Sequence, residues 1–454
     1  MRSISRPVSF LLTACFAVLL CLFTVAQTAA YEVNRNAVVM LIAKNEQGET
    51  VSTGSGFIVR PNGTVLTNYH VLLDAASMSA VFPDGTQVGV TGVLNVDRLR
   101  DVAALKLEGD LYSTLEIGDS NGLKTFDYLS ALGYPSHAVE MVEQGLHGVL
   151  VQTYGFVLGV HPQALPDHPF IYATTPFEPG FSGGPVVNLD NQVVGIATLE
   201  GRALNLAVPI DFVKPFLQDN RLLSFDELRE RDKNIKEVLY YRGNFTLYAL
   251  GDAEAAIGLF EKTLTIDPGF VPARYDLAVA YRGLGQMDAA IAEYEKALKL
   301  NPRFPEALSN LGGQYFRRGD VNKAIEKFRE AIHIHPNFIQ ALSNLGAALN
   351  KKERYEEAVP FLKRALSLDP EFGVAHFNIG NAHYGLGQWD EAISAYHTAL
   401  GMGVDFLSLH WSLHDIHSRK GDREKAKREL RIILQIDPQN EDARNKLEAL
   451  DSRP

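Results

Sequence analysis

The segment Gly180-Phe181-Ser182-Gly183-Gly184-Pro185 decides how this chain is interpreted. A serine flanked by glycines stands before two apolar stretches, residues 186–187 and 193–196, which predict short strands. Glycine tolerates backbone angles that a side chain would block, so the segment predicts a tight turn whose N–H groups converge on one point. Because such a turn stabilises an oxyanion, we interpret Ser182 as a nucleophile and the N–H groups of Gly180 and Ser182 as its oxyanion hole.

A serine hydroxyl needs a base to take its proton, and His70 is the candidate. Residues 54–59 predict a strand, residues 61–63 predict a turn, and residues 65–71 predict a second strand that ends near His70. The histidine is therefore expected at the end of a hairpin, which is a rigid position for a general base.

A carboxylate must orient the imidazole, and two aspartates compete for this role. Asp101 opens an apolar predicted strand at residues 101–107, whereas Asp97 stands in a polar stretch. We favour Asp101 because the strand that follows it can hold it in the interior. The order His, Asp, Ser is that of the chymotrypsin double barrel. The alternative is that the glycine-rich segment is only a hairpin.

Several strings between about residues 36 and 217 recur in the order of one family: GSGFIV, VLTNYHV, DVAALKL, LEIGDSNGLK, ALGYP, GFSGGPVVNLDNQVVGIAT and NLAVPIDFVKPFL. This region resembles the protease domain of the HtrA (Deg) serine proteases of the trypsin-like superfamily. The resemblance implies a chymotrypsin-like double β-barrel with His70, Asp101 and Ser182 as the triad and Gly180 in the oxyanion hole. Phe181 departs from the family, which commonly has asparagine there, and its side chain is expected to point away from the chemistry.

The N-terminus predicts an exported protein. Two arginines precede the apolar residues 8–26, and small residues follow up to Ala30, which is the pattern of a secretory signal over residues 1–30. An uncleaved membrane anchor over residues 8–26 and a lipobox ending at Cys15 are alternatives. Each of them places the remainder outside the cytoplasm, in a bacterial periplasm or secreted. Cys15 and Cys21 are the only cysteines, so the folded domains contain no disulfide.

The C-terminal half repeats with a period of 34 residues, which is the period of tetratricopeptide repeats, or TPRs. We expect six pairs of antiparallel helices over residues 237–440, and a capping helix over residues 441–454. The repeated alanines let paired helices approach closely, and the repeated prolines end each unit. The landmarks are Pro268, Pro302, Pro336, Pro370 and Pro438, with Ala256, Ala290, Ala324, Ala358, Ala392 and Ala426.

The concave face of such an array binds extended peptides, and Asn310, Asn344 and Asn378 stand in equivalent positions on it. A ladder of side-chain amides can hold a peptide backbone. The competing interpretation is that asparagine is simply common at this position and binds nothing.

Three histidines share one helical face: His410, His414 and His417. Core packing explains these residues better than metal binding does, and we expect no metal site.

Residues 218–236 link the two halves. Ser224 and Glu227 fit a capping box, which predicts a linker helix. The predicted layout is a multidomain β + α protein, with a trypsin-like domain over residues 31–217 and an α-helical TPR superhelix.

HtrA-type enzymes usually carry a PDZ domain after the protease domain, and none fits here. Substrate delivery and control of activity are therefore expected of the repeats.

These features predict an exported serine endopeptidase that cleaves protein substrates through an acyl-enzyme, without a cofactor. Pro176, six residues before the serine, argues against a preference for Lys or Arg at the cleaved bond. The repeats are expected to recruit clients or partners, with a role in protein quality control, and a homo-oligomer stays open. The net charge of −11 argues against nucleic acid as a partner. The alternative function is a TPR-based scaffold whose protease domain is inactive or conditionally active.

Overall fold

The computed structural model describes residues 33–162, 168–198, 205–218 and 221–452. The predicted signal segment lies outside these residues. None of the helices within them combines the length and the apolar character that crossing a bilayer requires.

Six antiparallel strands close the first barrel in the order β1-β2-β3-β6-β5-β4. Valine is the commonest residue of these strands, and β-branched side chains suit a buried pleated surface. β1 is buried along almost its whole length and contributes side chains to the cores on both of its faces. The strands are β1 Val38–Lys44, β2 Thr50–Arg60, β3 Thr64–Thr67, β4 Ser77–Val81, β5 Gln87–Asp97 and β6 Val102–Leu107.

The second barrel follows the order β11-β8-β9-β10-β13-β12 and closes through the pairing of β11 with β12. A short strand, β7, adds to β12 in parallel. Two closed barrels of six strands followed by a helical array confirm the predicted fold class. The strands are β7 Glu116–Ile117, β8 Tyr128–Gly133, β9 Val151–Pro162, β10 Pro169–Ala173, β11 Pro185–Val187, β12 Gln192–Thr198 and β13 Asn205–Pro209; helix α1, Ala138–Glu143, follows β8.

The rest of the described chain is helical. Two helices follow the barrels: α2 Phe225–Asp232 and α3 Lys236–Asn244, which continues into a π-helical turn at Phe245–Ala249. The array then comprises α4 Ala253–Ile266, α5 Val271–Gly283, α6 Met287–Leu300, α7 Pro305–Arg318, α8 Val321–Ile334, α9 Ile339–Lys351, α10 Tyr355–Leu368, α11 Gly373–Gly385, α12 Trp389–Gly401, α13 Leu407–Arg419, α14 Arg423–Ile436 and α15 Glu441–Asp451.

Glycines allow the helices of a pair to pack closely. On α7, a Cβ atom added to Gly312 would lie 2.8 Å from the ring of Phe328 on α8, and Phe328 is buried. On α9, a Cβ atom added to Gly346 would lie 2.5 Å from the side chain of Leu362 on α10. The backbone of one helix is therefore in contact with a large apolar side chain of the next, which is how these short helices are held.

The linker joins the helices to the first barrel. Leu223 exchanges two backbone hydrogen bonds of 2.8 Å with Val93 of β5. The capping box is present at the start of α2: the Ser224 hydroxyl accepts the Glu227 N–H, and the Glu227 carboxylate accepts the Ser224 N–H. Phe225 and Leu228 belong to a hydrophobic cluster that is continuous from the barrel to α3, α4 and α5. The linker is thus packed rather than extended.

A second contact joins the second barrel to the array. Leu158 and Tyr172 of the barrel pack with apolar side chains of α9 and α10. The Tyr172 hydroxyl donates to the Glu306 carboxylate of α7, and the Asn337 amide donates to the Leu158 carbonyl at 2.8 Å. Burial raises the pKa of Glu306 to about 7, and burial lowers the pKa of the nearby His335 to about 3. The array therefore packs against both barrels.

The neighbouring glycines of α7 provide a matched test of helix packing. Gly312→Ala is expected to destabilise the protein by about 1–3 kcal/mol, because the buried Phe328 ring occupies the space of the new methyl group. Gly313 has no atom within 4 Å of the same position, so Gly313→Ala is expected to stabilise the helix by about 0.5–1 kcal/mol. Chemical unfolding followed by circular dichroism measures both, and equal effects would contradict this packing.

Glu306 is expected to make stability depend on pH. Its folded pKa of about 7 lies above its ordinary value of 4.5. Its contribution is therefore complete below about pH 4.5 and lost as pH rises through about 7. Relative to Glu306→Gln, the wild-type protein should lose on the order of 2–3 kcal/mol of unfolding free energy between these limits. Parallel unfolding titrations of the two proteins measure this difference, and a constant difference would refute the assignment.

Candidate active site

His70 and Asp101 meet in the first barrel. His70 lies in a 3₁₀ turn, Tyr69–Leu72, directly after β3. Its Nδ1 atom is 2.6 Å from Asp101 Oδ2, and its backbone N–H donates to Asp101 Oδ1 at 2.8 Å. An ionised carboxylate only accepts hydrogen bonds, so Nδ1 carries the proton and Nε2 is the basic nitrogen. The side chain of His70 is partly exposed, which leaves that nitrogen accessible.

Asp101 is held from several sides. Its φ angle of 58° lies in the left-handed region, which a non-glycine residue adopts only where its surroundings require it. The Asn68 side-chain amide donates to the Asp101 carbonyl at 2.8 Å, and the Thr198 hydroxyl donates to Asp101 Oδ2 at 3.3 Å. Sequence analysis did not identify Asn68 or Thr198. The proximity of Asn68 to His70 was the one available signal, and nothing in the sequence marks Thr198.

The competing aspartate has a different role. Asp97 Oδ1 accepts the backbone N–H groups of Leu99 and Arg100, and its other oxygen accepts from the Arg100 guanidinium at 2.7 Å. Asp97 thus stabilises the turn that leads to Asp101 and does not contact His70.

The serine segment forms the expected tight turn. Gly180 and Gly183 have φ angles of 101° and 87°, in the left-handed region. A Cβ atom on Gly180 would lie 2.3 Å from the Tyr134 carbonyl oxygen, so only glycine fits there. Among the residues that the structure describes, neither the Gly180 N–H nor the Ser182 N–H donates a hydrogen bond. Both amides are therefore available for an oxyanion.

The turn lies against the first barrel. The Ser55 N–H donates to the Ser182 carbonyl at 2.8 Å, and the Ser55 hydroxyl donates to the Gly180 carbonyl at 2.7 Å. A Cβ atom on Gly183 would lie 2.8 Å from the Asn68 nitrogen, two residues before His70. Within the described part of the chain, no hydrogen bond joins Ser182 Oγ to His70. The barrels are in contact here, but the hydroxyl and the imidazole are not bonded in this conformation.

Phe181 points into the second barrel. It is fully buried and packs with Leu129, Val186 and other apolar residues of that core. A Cβ atom on Gly133 would lie 2.6 Å from its ring. The side chain therefore anchors the turn to the core of the second barrel.

The three asparagines of the repeats differ from one another. Asn310 donates to the Tyr275 hydroxyl at 2.8 Å and lines a cavity together with Asn344. Asn378 is buried, and its amide donates to the Ser343 hydroxyl at 3.1 Å, so it is less available to a ligand.

Two of the three histidines of α13 hydrogen-bond to protein groups, whereas Nδ1 of the buried His417 has no hydrogen-bond partner within the described residues. His410 Nδ1 is 2.6 Å from Glu429 and its Nε2 is 2.8 Å from Asp405; the hydrogen bond to Glu429 raises the pKa of His410. His414 contacts the Ala426 carbonyl at 3.1 Å. Within the described residues, no group of three or more His, Cys, Asp or Glu side chains could hold a metal ion.

Comparison with protein families defines the class. Residues 54–196 match the model described as trypsin-like peptidase domain. Residues 275–337, 339–372 and 373–400 match models described as tetratricopeptide repeat. The chain therefore joins a trypsin-like peptidase domain to tetratricopeptide repeats.

Comparison with individual proteins shows that the peptidase domain is HtrA-like. A relative in Halomonas elongata, "Probable periplasmic serine endoprotease DegP-like", is 34% identical over 175 residues, which cover 37% of this chain and 35% of the relative. "Serine protease HTR4" of Rattus norvegicus is 35% identical over 170 residues, which cover 37% of this chain and 34% of the relative. The chain thus spans about a third of the length of these relatives. The matches confirm the resemblance predicted from the sequence.

A solved structure, the serine endoprotease from Yersinia pestis, matches 40% of this chain and 62% of its own, with 22% identity and a TM-score of 0.35.

Proposed function

We propose that this protein is a serine endopeptidase that cleaves protein substrates through a triad of His70, Asp101 and Ser182. The observation that carries the proposal is the Asp101–His70 pair, at 2.6 Å, on the barrel face against which the Ser182 turn packs. The domain match and the HtrA-like relatives support the same activity.

The proposed reaction follows from the geometry. His70 Nε2 takes the Ser182 proton as the hydroxyl attacks the amide carbonyl, and Asp101 stabilises the imidazolium that forms. The Gly180 and Ser182 amides receive the oxyanion, which is the largest single stabilisation in such reactions. His70 then protonates the leaving amine, and water releases the acyl group from Ser182. No step requires a cofactor.

A conditionally active protease domain is the second candidate function. The specific observation that favours it is the lack of a Ser182–His70 hydrogen bond within the described residues. Catalytic hydrogen bonds often form only with substrate present, so this observation also fits an enzyme that tightens on binding. Export is supported by the periplasmic description of the Halomonas relative and by the signal-like N-terminal pattern, and a role in protein quality control is part of the same proposal. A homo-oligomer stays open.

The repeats, which we place at residues 237–440, are proposed to bind a peptide through its carboxylate. A cavity of about 210 Å³ is lined by Arg282, Asn310, Gln314, Arg317 and Asn344, among others. The lining contains no acidic side chain. Within the described residues neither arginine forms a salt bridge, and Arg282 donates to the Asn310 side-chain oxygen at 3.4 Å. Gln314 is 2% exposed and lines the same cavity. Guanidinium groups bind carboxylates in a fork geometry, and the neighbouring amides can hold the peptide backbone.

The triad is tested with a matched pair of aspartate variants. Asp101→Asn is expected to lower the rate of labelling by a fluorophosphonate probe by about 10³–10⁴-fold, because His70 loses the acceptor that fixes its tautomer. Asp97→Asn keeps an oxygen for the turn and should label at close to the wild-type rate. Ser182→Ala serves as the blank, and casein cleavage is followed in parallel. Absence of Ser182-dependent labelling, even with unfolded protein added, would favour the scaffold.

The cavity is tested in the Ser182→Ala background, which cannot cleave the probe. A fluorescent Ala/Ser dodecapeptide with a free C-terminus is compared with its C-terminal amide by fluorescence anisotropy. Arg282→Ala combined with Arg317→Ala should weaken binding of the free acid at least about tenfold, since each removes a charge-assisted hydrogen bond. Arg428→Ala, which replaces an exposed arginine of α14, is the control.

The amide ladder is tested by replacing Asn310, Asn344 and Asn378 with alanine. Unchanged affinity for the peptide would contradict the ladder.

A further inference from the structure

Asp232, the last residue of α2, lies buried between the helical half of the chain and the first barrel. The Tyr69 hydroxyl donates to its Oδ2 atom at 2.5 Å. The Arg98 guanidinium donates to its Oδ1 atom through Nε at 2.8 Å and through a second nitrogen. A single carboxylate of the linker therefore holds two side chains of the barrel.

The two side chains that Asp232 holds lie next to the proposed base and next to its carboxylate. Tyr69 directly precedes His70 in the same 3₁₀ turn, and Arg98 belongs to the turn that leads to Asp101. The Arg98 guanidinium also lies over the Tyr69 ring, 5.5 Å from its centre. Asp232 thus fixes the segment of the proposed base and the segment of its carboxylate relative to each other.

Tyr241 of α3 adds a second contact from the helical side. Its hydroxyl donates to the Arg98 carbonyl at 2.9 Å, and its ring centre lies 5.9 Å from that of Tyr69. The centre of the His70 imidazole is 6.5 Å away, with the two rings inclined by 35°. Tyr241 is almost fully buried, so it forms a fixed wall beside the imidazole.

We propose that Asp232 and Tyr241 are positioning residues for the His70–Asp101 pair, so that the helices after the protease domain form a structural part of the active site. Asp101 adopts a left-handed backbone conformation that its surroundings must maintain. The ion pair of Arg98 with Asp232 and the bond from Tyr241 to the Arg98 backbone supply part of that support. The expected loss of kcat rests on the proposed triad, whereas the expected change in the His70–Asp101 hydrogen bond does not.

The test uses graded variants of the full chain. Asp232→Ala removes both acceptors and should lower kcat by about 10–100-fold with KM changed little, because the reacting groups are misplaced and the substrate site is not. Asp232→Asn keeps one of the two acceptor oxygens and loses the charge, and it should give an intermediate loss. Tyr241→Phe removes one hydroxyl with little change in shape and should lower kcat by a smaller factor. Thermal unfolding by circular dichroism verifies that each variant is folded.

Arg229→Ala is the matched control. Arg229 lies on the same helix and also bridges to the barrel, through Glu46 at 2.8 Å. Within the described residues its ion-pair partners are Glu46 and Asp226, and neither belongs to the His70 turn or to the turn before Asp101. This variant should keep wild-type kcat. Equal effects of Arg229→Ala and Asp232→Ala would indicate a merely structural role for Asp232 and would overturn the proposal.

A spectroscopic measurement separates failure of this proposal from failure of the proposed function. The proton on His70 Nδ1, bonded to Asp101, is observable at low field by NMR in the absence of any substrate. Asp232→Ala and Tyr241→Phe should shift or broaden it, and Arg229→Ala should not. If the wild-type protein is inactive, this signal still tests the positioning role. An unchanged signal in both variants refutes it, whatever the activity.

Discussion

The close contact between the two barrels is the constraint on which the rest of the structure depends. Gly183 lies so near Thr67, Ser55 and Asn68 that a single Cβ atom would collide with all three. This approach brings the serine turn to the barrel that holds His70. It also explains why the segment is rich in glycine: the chain must pass through left-handed angles while in contact with backbone on both sides. The chemistry proposed for this contact depends on packing, because no single element contains all of the proposed groups.

The helical array depends on the same two barrels. The helices pack against the first barrel through Asp232 of α2, which holds Tyr69 and Arg98, and through a continuous apolar core. They pack against the second barrel through the contact of Tyr172 with Glu306. Buried contacts of this kind fix the relative orientation of the two halves better than a flexible tether would. The cavity of the repeats shares α7 with the Glu306 contact.

The sequence predicted the parts that local patterns encode. Apolar stretches indicated strands, and the motif order and the HtrA resemblance indicated the double barrel. The 34-residue period indicated the repeats, and the apolar strand after Asp101 distinguished it from Asp97. The contacts between domains could not be predicted in this way. Tyr69 and Asp232 are 163 residues apart, and each is an ordinary residue in its own segment. Their meeting depends on how the linker packs after Ser224 caps α2, and no periodicity describes such packing.

Asp232 is buried because its charge is paired and both of its oxygens accept hydrogen bonds. Removing a carboxylate from water is costly unless its charge is paired and its oxygens accept hydrogen bonds. Arg98 supplies the opposite charge, and the Tyr69 hydroxyl occupies the second oxygen. A well-packed apolar residue would stabilise this interface equally well, but it would not hold two particular backbone segments in one register. Because those segments carry His70 and Asp101, the polar contact contributes orientation where an apolar one would contribute only stability.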